Sequence, residues 1–264
     1  MKKEYEATNY ESDLTDEQWE AIKEFFPSGN KSKYHKRSLV EAVLYIVKTG
    51  CQWRMLPHDY PPHDTVWSFY RRARENGVWD KMMQHLVKIT RKQAGRNEEP
   101  SYALIDSQSV KTTCYGEDHG YDGGKKRHIV TDTMGNLLCI HVHAANIHDT
   151  KGGVYTFEKA LYRYPTIQAG CADGGYRGTF RNTFDEFHNI RIDISMQIKE
   201  QKGFQVLPKC WVVERTFAWL NGSRKLSKDY ETSCCSAETM NVEFERLKKE
   251  FLGAHKELQQ ESNS

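Results

Sequence analysis

No apolar run in this chain is long enough to cross a bilayer. The longest, such as AVLYIV at 42–47, stop far short of the ~20 residues that a helical span requires. The opening MKKEYEATNYESD lacks the apolar segment of a secretory signal, so the cytoplasm is the expected compartment. Cysteine is sparse. Its seven copies form no CxxC pair, which argues against a disulfide framework or a zinc ribbon. Neither GxxxxGK[ST] nor GxGxxG occurs, so no phosphate-cradling loop for a nucleotide is legible. There is no internal repeat, and low-complexity sequence is confined to the polar stretch after Ala254.

What is present describes a globular chain. It has 264 residues, 38% of them hydrophobic, enough for a sizeable core in one large domain or two modest ones. The net charge of +2 hides an asymmetry. Between Lys31 and Asn76 nine Lys/Arg face four acids, an excess that suits a polyanionic partner or an ordinary set of solvated helix faces.

Residues 13–92 read as all-helical after a flexible N-terminus at 1–12. Thr15 and Gln18 have capping-box spacing ahead of EAIKEFF, and Ser38 and Glu41 repeat the device before LVEAVLYIVKTG, which Gly50 stops. Asp64 is placed to cap TVWSFYRRAREN, and a fourth helix is expected from about Trp79 to Lys92. In the third helix, Arg71, Arg72 and Arg74 suit a recognition helix, while Trp67 and Tyr70 suit the core. QAGRNEEPS at 93–101 reads as a linker, and 253–264 as a polar tail.

From Tyr102 the pattern changes. YALID predicts a short strand ending in Asp106, and RHIVTD with LLCIHVHA a hairpin whose turn holds Gly135 and Asn136. A helix at TKGGVYTFEKALYRY, a strand at IQAGCAD ending in Asp173, a helix at GTFRNTFDEFH and a strand at IRIDI follow. The sum is a mixed α/β sheet flanked by helices over 102–252, preceded by an all-α, helix-turn-helix-like region.

The last helix, KCWVVERTFAWLNG, spreads apolar residues almost all round, the pattern of a buried helix, yet it carries Glu214. Its neighbours at three and four residues are Cys210, Trp211, Phe217 and Ala218, none of them cationic. An unpaired buried carboxylate is expensive or takes up a proton, so a partner from elsewhere is expected: a distant cation, a backbone donor or a metal ion. Asp106 and Asp173 both end strands, where functional groups of open α/β sheets gather, and three oxygen ligands suit a hard divalent ion. An aspartate after a strand, taken alone, is more often a turn former or a helix cap. His141 and His143 share a strand face with His148 beyond, but no further ligand is spaced to complete a zinc site.

ALIDSQSV, ADGGYRG and WVVERTFAWL resemble the three active-site blocks of DDE-type transposases of insertion sequences, in particular the insertion-sequence-five family. LTDEQWEAI, TGCQWRMLP and TVWSFYRRARENGVWDKM resemble that family's N-terminal region. KRHIVTDTMGNLL and LSKDYE also fit, so the similarity covers nearly the whole chain. The resemblance implies a ribonuclease H-like catalytic domain with Asp106, Asp173 and Glu214 as the catalytic acids holding Mg²⁺, for which Mn²⁺ would substitute. It implies Glu214 buried against the sheet, and double-stranded DNA as partner, both terminal inverted repeats and target. DNA would be cut and then joined by attack of a freed 3′-hydroxyl, without a nucleotide cofactor and in a homodimer or larger assembly. Lys125, Lys126, Arg127 and His128 lie before the second strand, Arg177 closely follows Asp173 and Arg215 flanks Glu214, and all are candidates for phosphate contacts.

The chain departs from the family in carrying Cys210 where relatives have an arginine before the tryptophan of the glutamate block. It also has a shorter basic segment in DGGKKRHIV and a more charged closing stretch. Two alternatives accompany the transposase: a DNA-binding protein that occupies transposon ends without cutting them, and a nuclease on the same fold.

Overall fold

Thr15 accepts the N–H of Gln18 while the Gln18 side chain accepts that of Thr15, and this reciprocal cap opens α1 (Asp16–Ile22). A computed structural model describes residues 4–27, 29, 33–112, 124–195, 210–231 and 233–240, and the backbone alone of Cys210. The Cys210 side chain, Asp122 and Gly123 at the start of DGGKKRHIV, the closing stretch and the tail at 253–264 fall outside the described residues.

Helix α2 (Lys36–Thr49) begins earlier than the spacing predicts. His35 is its cap, accepting the N–H of Arg37, so Ser38 lies within the first turn. Glu41 is buried and takes Arg37 Nε at 2.9 Å and the Tyr5 hydroxyl at 3.0 Å; its role is an ion pair, not a capping box. Gly50, at φ 69°, ends the helix as expected. Helix α3 (His63–Glu75) starts after Pro62, which puts Asp64 in its first turn and not at its cap. Helix α4 (Val78–Gln93) follows.

The sheet has the order β3-β2-β1-β4-β5. Strands β1 (Tyr102–Lys111), β2 (Gly124–Asp132) and β3 (Leu137–Ala144) are antiparallel neighbours, and β4 (Ala169–Ala172) and β5 (Arg191–Ile194) extend the other side in parallel. Between them lie α5 (Asp149–Arg163) and α6 (Thr179–Phe187), and after β5 come α7 (Cys210–Asn221) and α8 (Arg224–Ser227). This mixed sheet between helical layers, with a helical region before it, is the ribonuclease H-like architecture.

Alternation along the strands sends side chains into two cores. Ala103, Ile105, Val130 and Cys139 pack with Phe157 of α5 and Phe180 and Phe184 of α6. Leu104, Ile129, Ile140 and Val142 share a core with Val213 and Phe217 of α7. That second core runs on without a break into Val43, Ile46, Phe69 and Trp79 of the N-terminal helices. Ion pairs reinforce the junction: Arg91 of α4 meets Asp132 of β2 at 2.6 Å, both buried, and Asp80 meets Arg163 at 2.7 Å.

Candidate active site

β1 and β4 pair in parallel through Tyr102↔Ala169 to Ile105↔Ala172, and the next residue on each strand is an aspartate. Asp106 and Asp173 thus stand level where the ladder stops, at the junction between the antiparallel and parallel halves of the sheet. That junction is where open α/β sheets leave a crevice. β1 itself continues to Lys111, so Asp106 lies mid-strand, a correction to the predicted strand end. Its carboxylate is mostly enclosed, and Oδ1 accepts the N–H of Ser107 at 2.7 Å. Asp173 ends β4 as expected and caps the tight turn at Gly174–Tyr176, with Oδ1 accepting Gly175 N at 3.0 Å.

Burial, with the charges of Asp173, Glu214 and Asp149, pushes the Asp106 carboxyl up to about 7. Burial and Asp149 also raise Asp173, against the Gly175 hydrogen bond and the nearby Arg177. The charges that act most on Asp106 are negative, the condition that a divalent ion relieves.

Glu214 is not buried. Val212, Val213, Phe217 and Leu220 turn inward, while Trp211, Glu214 and Ala218 form an exposed edge. An apolar residue type is not a buried residue, and the two tryptophans of α7 serve the surface: Arg215 lies 4.5 Å from each of the Trp211 and Trp219 ring centroids. Glu214 therefore needs no buried partner. Its helix packs on β1, and its charge is felt at Asp106. The donor chemistry of the three acids fits a hard divalent ion, yet among the described residues no three acid, His or Cys side chains converge closely enough to hold one.

β2 begins at Gly124, earlier than predicted, so the basic cluster lies within the strand and not before it, and it is mostly interior. Lys125 is fully buried against Asp229 at 3.1 Å. Arg127 is buried too, donating to the Leu226 carbonyl at 2.8 Å and to Gln108. His128 is buried on the opposite face, its Nδ1 2.8 Å from the Tyr176 hydroxyl. None of the three meets a phosphate from these positions, because β2 is an inner strand covered on both faces. Lys126 alone approaches the surface, paired with Asp149 at 2.9 Å. Arg74 is also engaged, donating to Ser236. Arg71, Arg72 and Arg177 are exposed, and Arg215 is held at α7, with Nη2 on the Met134 carbonyl at 3.2 Å. Of the three histidines in and beyond β3, His141 meets Glu238 at 2.7 Å, His143 stacks on His128 and His148 caps α5.

Sequence reasoning missed Asp149, which accepts the Ser107 hydroxyl at 2.8 Å, pairs with Lys126 and raises the Asp106 carboxyl by its charge. Burial raises its carboxyl, but Lys126 and Ser107 outweigh that and hold it low. A signal for the cluster existed in the glycine pair of α5. A Cβ on Gly152 would lie 2.2 Å from His143 Nε2, and one on Gly153 2.4 Å from Tyr176 Cε1. Glycines that weaken a helix mark a close approach.

Comparison with known proteins agrees with this architecture. The family profile described as "Transposase DDE domain" matches residues 97–233, more than half of the chain. The chain belongs to the DDE-domain transposase family. A second profile, a domain of unknown function ascribed to IS4/5-family transposases, matches 14–83. The transposase is 30% identical over 118 residues to "Uncharacterized protein y4sN" of Sinorhizobium fredii (strain NBRC 101917 / NGR234), covering 43% of this chain and 83% of that one. It is 26% identical over 117 residues to "Insertion element IS402 uncharacterized 16.2 kDa protein" of Burkholderia cepacia, covering 40% of this chain and 78% of that protein. No helix among the described residues is long and apolar enough to cross a membrane.

Proposed function

We propose that this transposase binds the terminal inverted repeats of an insertion sequence, cuts DNA there and joins the freed 3′-hydroxyl to a target strand. The observation that carries the reading is the level pair Asp106 and Asp173, with the charge of Glu214 reaching Asp106. Asp106, Asp173 and Glu214 would hold the divalent ion, Mg²⁺ or in its place Mn²⁺, which supplies Lewis-acid activation of the attacking and leaving oxygens. Among the described residues the three do not converge closely enough to hold an ion, so ion binding would draw α7 and Glu214 towards Asp106. Asp106 and Asp173 stay fixed by the sheet. Lys126, Arg177 and Arg215 flank this site and would hold phosphates there, while Arg71 and Arg72 present positive charge on α3 to the end sequence. Two ends are joined in one reaction, which calls for a homodimer or larger assembly on DNA.

The test incubates purified protein with labelled end DNA and a target plasmid, in Mg²⁺ or EDTA, beside Asp173→Asn. Cleaved and joined product that needs Mg²⁺ and is lost in the variant is expected. End binding without product in Mg²⁺ or Mn²⁺ would leave a DNA-binding protein. Cleavage indifferent to end sequence, with no joining, would leave a nuclease.

A further inference from the structure

Asp132 closes β2 with a fully buried carboxylate. Its Oδ1 accepts the N–H groups of Met134 and Asn136, both at 2.9 Å. Its Oδ2 accepts Asn136 Nδ2 at 2.9 Å and Arg91 Nη1 at 2.6 Å. Four donors on one carboxylate fix the β2–β3 turn far more firmly than joining two strands requires. The outer side of that turn is what α7 rests on. Met134 offers its carbonyl to Arg215 at 3.2 Å, and Gly135 offers its own to the Thr216 hydroxyl at 3.1 Å. Gly135 sits at φ 86°, and a Cβ there would lie 3.3 Å from Thr216 Oγ1 and 3.4 Å from Val212 Cγ1. The two residues clasped by the turn are the two that follow Glu214.

We infer that Asp132 is a positioning residue for Glu214, and that Arg91, on the last helix of the N-terminal region, governs it. The route runs from Arg91 to Asp132, through the turn carbonyls to Arg215 and Thr216, and so to the setting of α7. It gives the helical region that is to read DNA a physical hold on the third carboxylate of the site. Arg91 also donates to the Asn97 carbonyl at 2.7 Å, so a shift of α4 or of the segment after it pulls directly on this ion pair. The inference rests on the proposed role of Glu214.

The experiment measures amide hydrogen exchange along the full-length protein and, separately, Mn²⁺ binding by electron paramagnetic resonance. The variants are Arg91→Met, Asp132→Asn, Thr216→Val and Glu214→Gln. Arg91→Met and Asp132→Asn are expected to speed exchange across α7 about tenfold while β4 and α6 keep their protection, and to weaken Mn²⁺ binding as Glu214→Gln does. Thr216→Val removes one hydroxyl with little change of shape and is expected to speed α7 several-fold, which preserves the test if a buried-charge variant fails to fold. Unchanged α7 exchange in Thr216→Val and Arg91→Met, with Mn²⁺ binding still weakened by Glu214→Gln, would overturn the coupling. Faster α7 exchange with Mn²⁺ binding indifferent to Glu214→Gln would keep the coupling and remove the role given to Glu214.

Discussion

Asp106 and Asp173 stand side by side one residue beyond the last ladder partners of β1 and β4, Ile105 and Ala172. The sheet that fixes their separation also withholds water from Asp106, and its carboxyl is pushed up to about 7 by burial and by three other acids. Such an arrangement works against the stability of the free protein, and that can be measured.

Asp106→Asn is expected to stabilise the protein at pH 8 and to have little effect near pH 4. The folded state keeps the Asp106 proton up to about pH 7, whereas the unfolded chain releases it near 3.8. Between those values the folded state binds more protons, so stability falls as pH rises through the window. At about 1.4 kcal/mol for each tenfold difference in proton affinity between the two states, the gain from removing the charge is on the order of 1–4 kcal/mol. Urea denaturation of both proteins at pH 4 and pH 8 checks it; a variant less stable at pH 8 would show that the carboxylate is well compensated in the free chain.

The histidine pair works in the opposite sense. Burial and the neighbouring His143 hold His128 down to about 3, and burial lowers His143 also. Below pH 6.5 the unfolded state takes up protons that the folded state refuses, so stability falls as pH falls from 6.5 towards 3. Asp106 masks this in the unaltered protein. In the Asp106→Asn background, His128 alone is expected to lower stability on acidification by about 1.4 kcal/mol per pH unit. Adding His128→Leu should make that slope shallower. A slope between pH 6.5 and 4 that His128→Leu leaves unchanged in the Asp106→Asn background would mean that His128 is protonated without penalty.

Much of the fold was legible because its signals are local. The Thr15 box, the Gly50 stop, the Gly135 turn and the aspartate after AGCA each depend on a few adjacent residues. The two aspartates were legible for the same reason. The state of Glu214 was not, since periodicity reports where apolar residues lie and not which of them tertiary packing covers. Lys125 and Arg127 misled because the sequence reads as a strand from RHIVTD onward with the basic cluster ahead of it, whereas β2 begins at Gly124 and the sheet order shows it covered on both sides. Asp149 joins the site by folding α5 over β1, a contact that no spacing encodes.

Gly152→Ala is expected to destabilise the fold by about 1–3 kcal/mol, although alanine is the better helix former by about 1 kcal/mol. The added methyl would meet the rings of His128 and His143 at 2.8 and 2.2 Å, and both rings are pinned between the sheet and α5. Thermal or urea unfolding decides it. Equal or higher stability would show that the histidine rings have room to move.

Surface and interior cations should separate by salt dependence. Binding of end DNA, followed against salt concentration, is expected to lose about one unit of slope in Arg177→Ala, and in Lys126→Ala if Lys126 leaves Asp149 for a phosphate. Lys125→Met and Arg127→Met are expected to leave that slope unchanged. Lys125→Met should instead lower stability by about 3–5 kcal/mol, the range for breaking a buried charged pair, and Arg127→Met by about 1–3 kcal/mol, the range for buried polar groups left unsatisfied. Lys125→Met strands the buried Asp229, and Arg127→Met leaves Gln108 and the Leu226 carbonyl without their donor. A lost slope unit in a stably folded Lys125→Met or Arg127→Met protein would mean that β2 becomes uncovered when DNA binds. The layer of α7 and α8 would then have to be a cover that the bound complex removes.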